Sequence, residues 1–311
     1  MKRLILLLLV LASCSSRSTP DGEGSIVSMQ IIDRNGFTET ISNKERISAF
    51  KGVDFLEPQP YQKVLRIYRQ KGENKSHSKI TSYHDNGSLS QYLEVADGRA
   101  HGLFCEWFDN GQKKIEAHVI EGVADIHELA KATWVFDGEC KIWDQEGALS
   151  AEFNYEKGAL HKPAFYYYAS GKVKQVIPYE HGLANGIVES FDEEGLPLET
   201  IPYIRGEKAG QATTFWTQDQ LKSDEFYQMG RLIRAEYFDP SGASVETVKE
   251  GQGKAAQFQD KELASLQTIT DGLAEGLVEF FFPTGGLRCS YHIKGGKKDG
   301  EEWEYYSRKG Q

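Results

Sequence analysis

Aromatic and apolar positions recur with a period of 24 residues from about residue 83 to the end of the chain. In nine frames an aromatic residue stands four positions before a turn residue, which is glycine in all but one. The aromatic positions are Tyr83, Trp107, Trp143, Tyr167, Phe191, Trp216, Phe238, Phe281 and Tyr306. The turn glycines are Gly87, Gly111, Gly147, Gly171, Gly195, Gly242, Gly285 and Gly310, and Gln220 takes their place in the sixth frame. A fixed period of this length predicts stacked copies of one structural unit.

The second half of each unit repeats as well. A second glycine follows most turn glycines by eleven residues, with an apolar or aromatic residue three positions before it, as at Tyr203 and Gly206. The segments between turns have the length and composition of strands, and glycine supplies the positive φ of tight hairpin turns. One unit is therefore predicted to be two strands and two turns. The chain is predicted to be all-β, an elongated antiparallel β-meander of about nine 24-residue hairpin repeats with small α-helical insertions.

The aromatic stripe has two interpretations. Because the rings keep phase with the turns, we expect them to form the buried face of the meander. The alternative is that exposed rings on a long sheet stack on sugars or grip extended peptides.

The chain departs from the period in three places. Residues 25–80 form an N-terminal segment of predicted strands and one short helix, which is interpreted as a possible degenerate repeat. The interval between two turn glycines is twelve residues too long near 124–133, where a short helix capped by Asp125 is predicted. A second interval is nineteen residues too long near 249–265, a polar stretch predicted to be a loop with a helical turn.

The repeat resembles the variant MORN repeat of bacterial proteins. The family's unit reads as aromatic-x-x-N-G, then an aromatic residue, then G-x-x-x-G. The best copies here are Tyr83-His84-Asp85-Asn86-Gly87 with Gly98 and Gly102, and Phe191 to Gly195 with Gly206 and Gly210. The opening of the chain is similar to that of chlamydial lipoproteins that carry these repeats. The resemblance implies the fold, and because family members are often catalogued as antitoxins, it implies an antitoxin-like inhibitor of a partner protein as one alternative function.

The N-terminus carries the features of an export signal. Lys2 and Arg3 precede an unbroken apolar run at 4–11, and L-A-S-C then matches a lipobox that ends at Cys14. The run is typical of a signal peptide and too short to span a bilayer as a helix. The alternative is an ordinary secretory signal with an incidental cysteine. The lipobox match implies cleavage between Ser13 and Cys14, a lipid anchor on Cys14, and a place in the cell envelope. Ser15 instead of an aspartate after the cysteine favours the outer membrane if there are two membranes.

These signals divide the chain into four parts. They are a lipoprotein signal peptide at 1–13, a lipidated tether at 14–24, the N-terminal segment at 25–80 and the repeat array at 81–311. The formal net charge is −10 and no strongly basic run is present. An acidic chain is repelled by phosphate backbones and anionic headgroups, so nucleic acid is not an expected partner and the membrane is expected to be contacted through the lipid on Cys14.

The remaining cysteines do not suggest a disulfide framework or a metal site. Cys105 and Cys140 lie six and seven positions before their turn glycines, so a period of two places them on opposite faces of a sheet. A disulfide between them is therefore disfavoured, and the state of Cys289 is open. The sequence has no C-x-x-C motif or His/Cys ligand cluster, and no metal or other cofactor is expected.

The sequence contains no motif of nucleophilic, metal-dependent or phosphate-binding catalysis, so the protein is predicted not to be an enzyme. We expect a lipid-anchored envelope protein whose repeat sheet is a non-catalytic scaffold for a protein partner from the envelope or from a host. A structural protein that contacts cell-wall glycans and an antitoxin-like inhibitor are the alternatives. The partner and the oligomeric state are open.

Overall fold

The computed structural model describes residues 25–69 and 76–306, and its strands form one antiparallel sheet of 25 strands. The strands before residue 159 are β1 (Ser25–Ile32), β2 (Thr38–Ile41), β3 (Lys63–Arg69), β4 (Ser76–Tyr83), β5 (Leu89–Ala96), β6 (Arg99–Trp107), β7 (Lys113–Glu121), β8 (Val135–Trp143) and β9 (Leu149–Glu156). The middle strands are β10 (Ala159–Leu160), β11 (Lys162–Tyr167), β12 (Val173–Glu180), β13 (Leu183–Ala184), β14 (Gly186–Phe191), β15 (Pro197–Ile204), β16 (Glu207–Lys208), β17 (Gly210–Thr217) and β18 (Gln220–Gln228).

The last strands are β19 (Arg231–Phe238), β20 (Ser244–Lys249), β21 (Gln252–Gln259), β22 (Glu262–Thr270), β23 (Leu273–Phe281), β24 (Leu287–Lys294) and β25 (Lys297–Glu304). The two-residue strands β10, β13 and β16 share their places in the sheet with β11, β14 and β17, because each pair contacts the same preceding strand. Apart from these and from β2, which pairs with the outer side of β1, the strands follow one another across the sheet in chain order. Within the described ranges the helices are α1 (Lys44–Ser48) and α2 (Glu128–Lys131). The predicted all-β antiparallel meander is confirmed.

A β-bulge marks the same position in every unit. The register of each hairpin shifts next to the aromatic residue that ends its first strand, for example between Ser190 and Phe191. The aromatic residues at this register are Tyr83, Trp107, Trp143, Tyr167, Phe191, Phe215, Phe238, Phe258 and Phe281. The periodic aromatic in the sequence therefore corresponds to a periodic irregularity in the ladder.

The sixth unit departs from the prediction by one residue. Its bulge lies at Phe215, and Thr217 pairs with Gln220 across a two-residue turn. Trp216 follows the repeat aromatic, and its Nε1 donates to the carbonyl oxygen of Phe238 at 3.0 Å. The assignment of Trp216 as the repeat aromatic and of Gln220 as the turn residue is wrong, because a shorter turn changes the spacing between the two.

The last predicted aromatic is also displaced by one residue. Cys289 pairs with Phe280 on one side and with Glu304 on the other. Phe280 directly precedes the repeat aromatic Phe281, and Glu304 lies at the same register as Phe280. The residue after Glu304, which is Tyr305, therefore occupies the repeat position. Tyr306 lies one residue beyond it and is 90% exposed.

Residues 249–265 do not form the predicted loop with a helical turn. Strands β21 and β22 run through this segment and pair with each other. Phe258 stands at the bulge, and the turn at Asp260 and Lys261 has φ values of 48° and 69°. The segment is therefore one more unit of the array, with a short turn that has no glycine. The sequence period did not reveal it because both the turn glycine and the usual spacing are missing.

The turns at one end of the strands are connected from unit to unit. The N–H of Gly182 donates to the carbonyl oxygen of Leu160 at 2.8 Å. The same bond, which spans 22 residues, recurs from Gly158 to Phe136, from Gly206 to Ala184 and from Gly230 to Lys208. In these four units the second glycine of the period thus bonds its turn to the previous unit and satisfies backbone groups beyond the strand ladder.

Alternation of side chains gives the sheet two faces. The face that lies inside the curl described next is called the concave face. It carries a mainly apolar row in register, namely Ala117, Cys140, Phe153, Ala164, Ile177, Val188, Ile201, Ala212, Glu225, Ala235 and Val248. The convex face carries the neighbouring row Lys141, Glu152, Val176, Glu189, Thr200, Thr213 and Asp224.

A contact between two aromatic rings shows that the sheet is curved. Trp216 lies in β17 and Phe258 in β21, with β18, β19 and β20 between them. Four strand spacings of about 4.8 Å would separate them by about 19 Å in a flat sheet. Their ring centroids are 5.1 Å apart. The sheet therefore curls strongly in its second half, and the rolled strands enclose a core of Leu232, Tyr237, Val248, Leu266 and Ile269.

The convex face of the first strands is covered by residues 43–61. Asn43 caps α1 by accepting from the backbone N–H groups of Glu45 and Arg46, as expected for an N-cap asparagine. Phe55 from the following loop packs with Met29, Val64 and their neighbours in a buried cluster. The N-terminal segment thus supplies a second layer on this side of the sheet.

The concave face of the same region is covered by the insertion at 124–134. Ile126 and Trp134 pack on Leu93 and Phe104, and the Trp134 and Phe104 rings meet edge to face at 4.8 Å. A short helix lies in the insertion, but its N-cap is His127 and not Asp125. Asp125 instead accepts from the ammonium group of Lys63 at 2.7 Å, because it lies before the helix and faces the sheet.

Candidate functional site

A trough opens on the concave face where no segment covers the sheet. Its floor is a row of polar side chains that cross β12, β14, β15 and β17 in register, Gln175, Ser190, Glu199 and Thr214. The Gln175 Nε2 donates to the Ser190 Oγ at 3.1 Å, and this hydroxyl donates to the Glu199 Oε2 at 3.0 Å. The trough has a volume of about 380 Å³ and its lining extends from Tyr166 to Lys222.

Cations stacked on aromatic rings border the trough. The Lys174 ammonium group lies 5.6 Å from the centre of the Tyr168 ring, and the Lys222 group lies 4.9 Å from the centre of the Trp216 ring. Tyr168 is fixed by its hydroxyl, which donates to the Phe191 carbonyl oxygen at 2.7 Å. Each lysine is the additional residue of a bulge, so its side chain emerges beside the polar row. Stacking holds both charges near the surface of the trough.

The same bulge position is used differently in the first third of the array. Lys114 is the additional residue there, and its ammonium group lies 2.7 Å from a carboxylate oxygen of Glu106. Lys131 of α2 reaches the other oxygen of Glu106 at 3.2 Å. In the described ranges, no carboxylate forms such an ion pair with Lys174 or Lys222. The trough therefore presents two positive charges that are stacked but not neutralised.

A second, smaller pocket lies in the curled part of the sheet. Glu225 accepts from the hydroxyl groups of Tyr237 at 2.8 Å and of Tyr227 at 2.9 Å. Burial, and then the charge of Glu225, raise the pKa of both tyrosines far above the ordinary value. The Lys208 ammonium group lies 4.9 Å from the Tyr227 ring centre and 4.0 Å from the carboxylate. This pocket of about 270 Å³ already contains a cation, Lys208. The carboxylate of Glu225 therefore has its partners within the protein, and we interpret the cluster as structural.

The predicted repeat aromatics of the first units lie mainly outside the trough. Tyr83 is buried on the convex face, and its hydroxyl donates to the Phe55 carbonyl oxygen at 2.8 Å. The Tyr167 hydroxyl donates to the Glu152 carboxylate at 2.6 Å, and burial together with this carboxylate raises the pKa of Tyr167 to about 12. Phe191, in contrast, borders the trough. The stripe is therefore neither a uniformly buried face nor a free platform, since most of its rings are half-buried.

Sequence reasoning missed the residues of the trough, although a signal for them exists. Lys114, Lys174, Lys222 and Arg288 each stand seven positions after a repeat aromatic, at the additional residue of the bulge. Each of these cations lies within 6 Å of a ring, at 5.8, 5.6, 4.9 and 5.8 Å respectively. The signal is a cation that recurs seven residues after the repeat aromatic. It is not visible in the sixth unit when Trp216 is assigned as the repeat aromatic in place of Phe215.

The remaining predicted positions fall into two groups. The turn glycines Gly87, Gly111, Gly147, Gly171, Gly195, Gly242 and Gly285 have φ values between 80° and 90°. Ser13, Cys14 and Gly310 lie outside the described residues, as do the signal peptide and the tether. The predictions of cleavage and lipid attachment therefore stay predictions.

The three described cysteines are free thiols. Cys105 pairs with Glu116 and Cys140 with Ala117, two successive residues of β7, so the two thiols lie on opposite faces as predicted. Burial raises the pKa of Cys105 to about 12 and that of Cys140 to about 11. Both thiols are therefore protonated and unreactive at neutral pH.

Two further kinds of site are absent from the described part of the chain. No helix in 25–69 or 76–306 combines the length and apolar character needed to cross a bilayer. The same residues contain no group of three or more histidine, cysteine or acidic side chains placed to hold a metal ion.

Comparison with known proteins identifies one repeat. Residues 160–181 match the MORN repeat variant, and this match spans β11 and β12 with the trough residues Tyr166, Lys174 and Gln175. No curated protein matches the chain. The match supports the assignment of the array to MORN-type repeats, whereas the likeness to chlamydial lipoproteins and to antitoxins stays a prediction.

Proposed function

We propose that the protein is a lipid-anchored envelope protein whose repeat sheet binds a protein partner through its concave face, without catalysing a reaction. MORN-type repeats are consistent with a repeat-based binding scaffold. A long sheet that curls around one face offers a partner many side chains in fixed register, which is how extended repeat proteins recognise their ligands.

One observation carries this proposal. The polar row from Gln175 to Thr214 is half-buried and internally hydrogen-bonded, yet no segment of the described chain lies over it. The equivalent face near Leu93 and Phe104 is closed by the insertion at 124–134. A concave surface with ordered donors and acceptors at its centre has the properties of a recognition site.

Matched pairs of substitutions on the two faces test the proposal. Ser190→Arg with Thr214→Arg places two large cations in the trough, whereas Thr200→Arg with Thr213→Arg makes the same change of charge on the convex face. The full-length protein is expressed in its own bacterium and crosslinked in intact cells. We expect a crosslinked partner for the wild type and the convex variant, and none for the concave variant. Equal crosslinking by both variants, or by neither, would refute a concave binding face, provided that both melt like the wild type.

The anchor is a separate part of the proposal and has its own test. The L-A-S-C sequence that ends at Cys14 supports lipid attachment. Cells are labelled with palmitate and fractionated. The wild type should carry label and remain in the membrane fraction, and Cys14→Ala should lose both properties. Continued labelling of Cys14→Ala would refute the anchor without affecting the binding proposal.

A glycan-contacting role is the second candidate, because tyrosine rings flank the row of amide, hydroxyl and carboxylate groups. Co-sedimentation of the wild type with purified peptidoglycan, lost in Ser190→Arg with Thr214→Arg, would favour this role over protein binding.

A further inference from the structure

The charges of the trough indicate which chemistry its ligand has, and this step rests on the proposed binding role of the concave face. Lys174 and Lys222 project from bulges on either side of the polar row, and each ammonium group lies over an aromatic ring. Within the described residues, neither lysine forms an ion pair with a carboxylate. The chain as a whole is acidic, with a net charge of −10. Two cations without carboxylate partners in an acidic protein favour an anionic ligand at this place.

The distance between the lysines suggests the size of that ligand. Lys174 belongs to β12 and Lys222 to β18, and four strand spacings of about 4.8 Å give about 19 Å between them before curvature shortens the gap. An extended peptide advances about 3.3 Å per residue, so two carboxylates four to six residues apart could reach both cations. Such a peptide would lie across the strands, and it would be read by side chains and not by addition to a sheet edge.

The floor of the trough distinguishes a peptide from a uniform polyanion. Glu199 lies between the two lysines and accepts a hydrogen bond from Ser190. A ligand with negative charge along its whole length would place an anion against this carboxylate, which is unfavourable. A peptide backbone supplies N–H groups for Glu199 and carbonyl groups for the donors Gln175 and Thr214.

We propose that the trough between Lys174 and Lys222 binds an extended acidic segment of a protein partner. The two end carboxylates of the segment contact the lysines, and its backbone lies over Gln175, Ser190, Glu199 and Thr214. Acidic polysaccharide is the competing ligand with similar charge, and it is distinguished by the experiment.

Selection from a random decapeptide library displayed on phage tests this proposal. The full-length protein, extracted in detergent, is the bait. We expect enriched peptides with two acidic residues about four to six positions apart. Lys174→Glu with Lys222→Glu should reverse the preference, so that its enriched peptides carry lysine or arginine instead. Lys249→Glu, an exposed lysine on β20 away from the trough, is the control and should retain the acidic preference.

Binding of an enriched peptide then gives the size of the effect. Fluorescence anisotropy should show at least about tenfold weaker binding to each single lysine variant and an unchanged affinity for Lys249→Glu. Replacement of the two peptide carboxylates by amides should weaken binding to the wild type to the same extent. No enrichment, neutral enriched peptides, or equal loss in the control would overturn the proposal.

Two further outcomes separate this proposal from the one on which it rests. If Ser190→Arg with Thr214→Arg loses the crosslinked partner while the lysine variants keep it, the concave binding face stands and the acidic segment is refuted. If an acidic polysaccharide such as alginate displaces the peptide and binds more tightly, while its neutral counterpart does not, the ligand is an acidic glycan and the peptide proposal is refuted.

Discussion

The first third of the array and the middle repeats share one backbone pattern but differ in what lies on the sheet. Around Leu93 and Phe104 the concave face is closed by Trp134, and the convex face around Val64 is closed by Phe55. In the middle repeats no described segment covers either face, and most side chains are half-buried, although small residues such as Ala164 and Ala212 are buried between their neighbours. The bulge cation shows the same difference, since Lys114 is paired with Glu106 and Lys174 is not.

This difference separates a structural role from a binding role in one fold. A single-layer sheet cannot bury much apolar surface by itself, so the covered end supplies a conventional core. The uncovered middle contains smaller residues such as Ala164 and Ala212 at the core register, which leaves the polar row accessible. A substitution in one region can therefore be compared with a matched substitution in the other, which serves as its control.

The largest expected effect is the loss of a core side chain at the covered end. Leu93 is fully buried under the insertion, and Leu93→Ala should lower the free energy of unfolding by about 2–5 kcal/mol because it removes packing and leaves a cavity. Leu198→Ala in the half-buried wall of the trough should cost about 1 kcal/mol or less. Urea unfolding followed by region-resolved amide hydrogen exchange measures both. Equal losses would show that the middle repeats are as tightly packed as the covered end.

A smaller effect is expected from glycines with different surroundings. A Cβ at Gly122 would lie 2.5 Å from Cδ1 and 2.9 Å from Cα of Trp134, so Gly122→Ala should displace the covering insertion and cost about 2–3 kcal/mol. Gly195→Ala meets no atom within 4 Å and should cost about 1 kcal/mol through its positive φ alone. Thermal melts measure the difference in stability. A larger loss of stability for Gly195→Ala than for Gly122→Ala would contradict the stabilising role of the insertion at 124–134.

The fold could be predicted from the sequence because each unit repeats the same local sequence features. Turn glycines, strand-length segments and a periodic aromatic agree at every level, which is why the antiparallel meander could be derived without a structure. The predictions are wrong at the two turns that lack glycine. The period misplaces the repeat aromatic at Trp216 because the turn that follows lacks glycine, and it predicts a loop around Phe258 because the turn at Asp260 has no glycine either.

The segments that cover the two faces, residues 43–61 and 124–134, could be predicted only in part. An excess of residues near 124–133 correctly indicated a short helix, but nothing in the period showed that Trp134 would close a core on the concave face. That contact joins residues far apart in the chain, and the turn spacing carries no information about it.

Acidification should weaken the covered end through Glu106. Burial raises the pKa of this carboxyl, but the hydrogen bonds and charges of Lys114 and Lys131 outweigh it and lower the pKa below the ordinary value. A carboxyl whose pKa is lowered by folding stabilises the fold above its unfolded pKa of about 4.3, and this contribution is lost as pH falls through the folded pKa.

Glu106→Gln removes this contribution and should cost about 1 kcal/mol at pH 7 and less near pH 3. Melting curves of both proteins between pH 7 and pH 3 measure it. A constant difference across this range would mean that the bonds from Lys114 and Lys131 do not depend on the charge of Glu106.

The smallest expected effect on stability belongs to the trough itself. Lys174→Glu changes an exposed side chain with a ring contact and should alter the free energy of unfolding by less than about 0.5 kcal/mol. Lys114→Glu at the equivalent bulge breaks the pair with Glu106 and should cost more. Urea midpoints compare the two, and similar losses would show that Lys174 is a structural residue.

The trough was harder to predict than the fold for a physical reason. Its floor residues come from four strands and share only their register, so neither a motif nor a spacing identifies them. The cations at Lys174 and Lys222 do recur in phase with the aromatic, but their meaning depends on whether a carboxylate such as Glu106 lies nearby, and this is known only from the structure.

Hydrogen exchange of the full-length protein with and without a selected acidic peptide tests the division of roles most directly. We predict slower exchange on binding in β12 to β18, around Gln175, Ser190 and Thr214, and no change in β5 to β8 under the Trp134 cover. Protection at the covered end, or protection spread evenly along the sheet, would contradict the account.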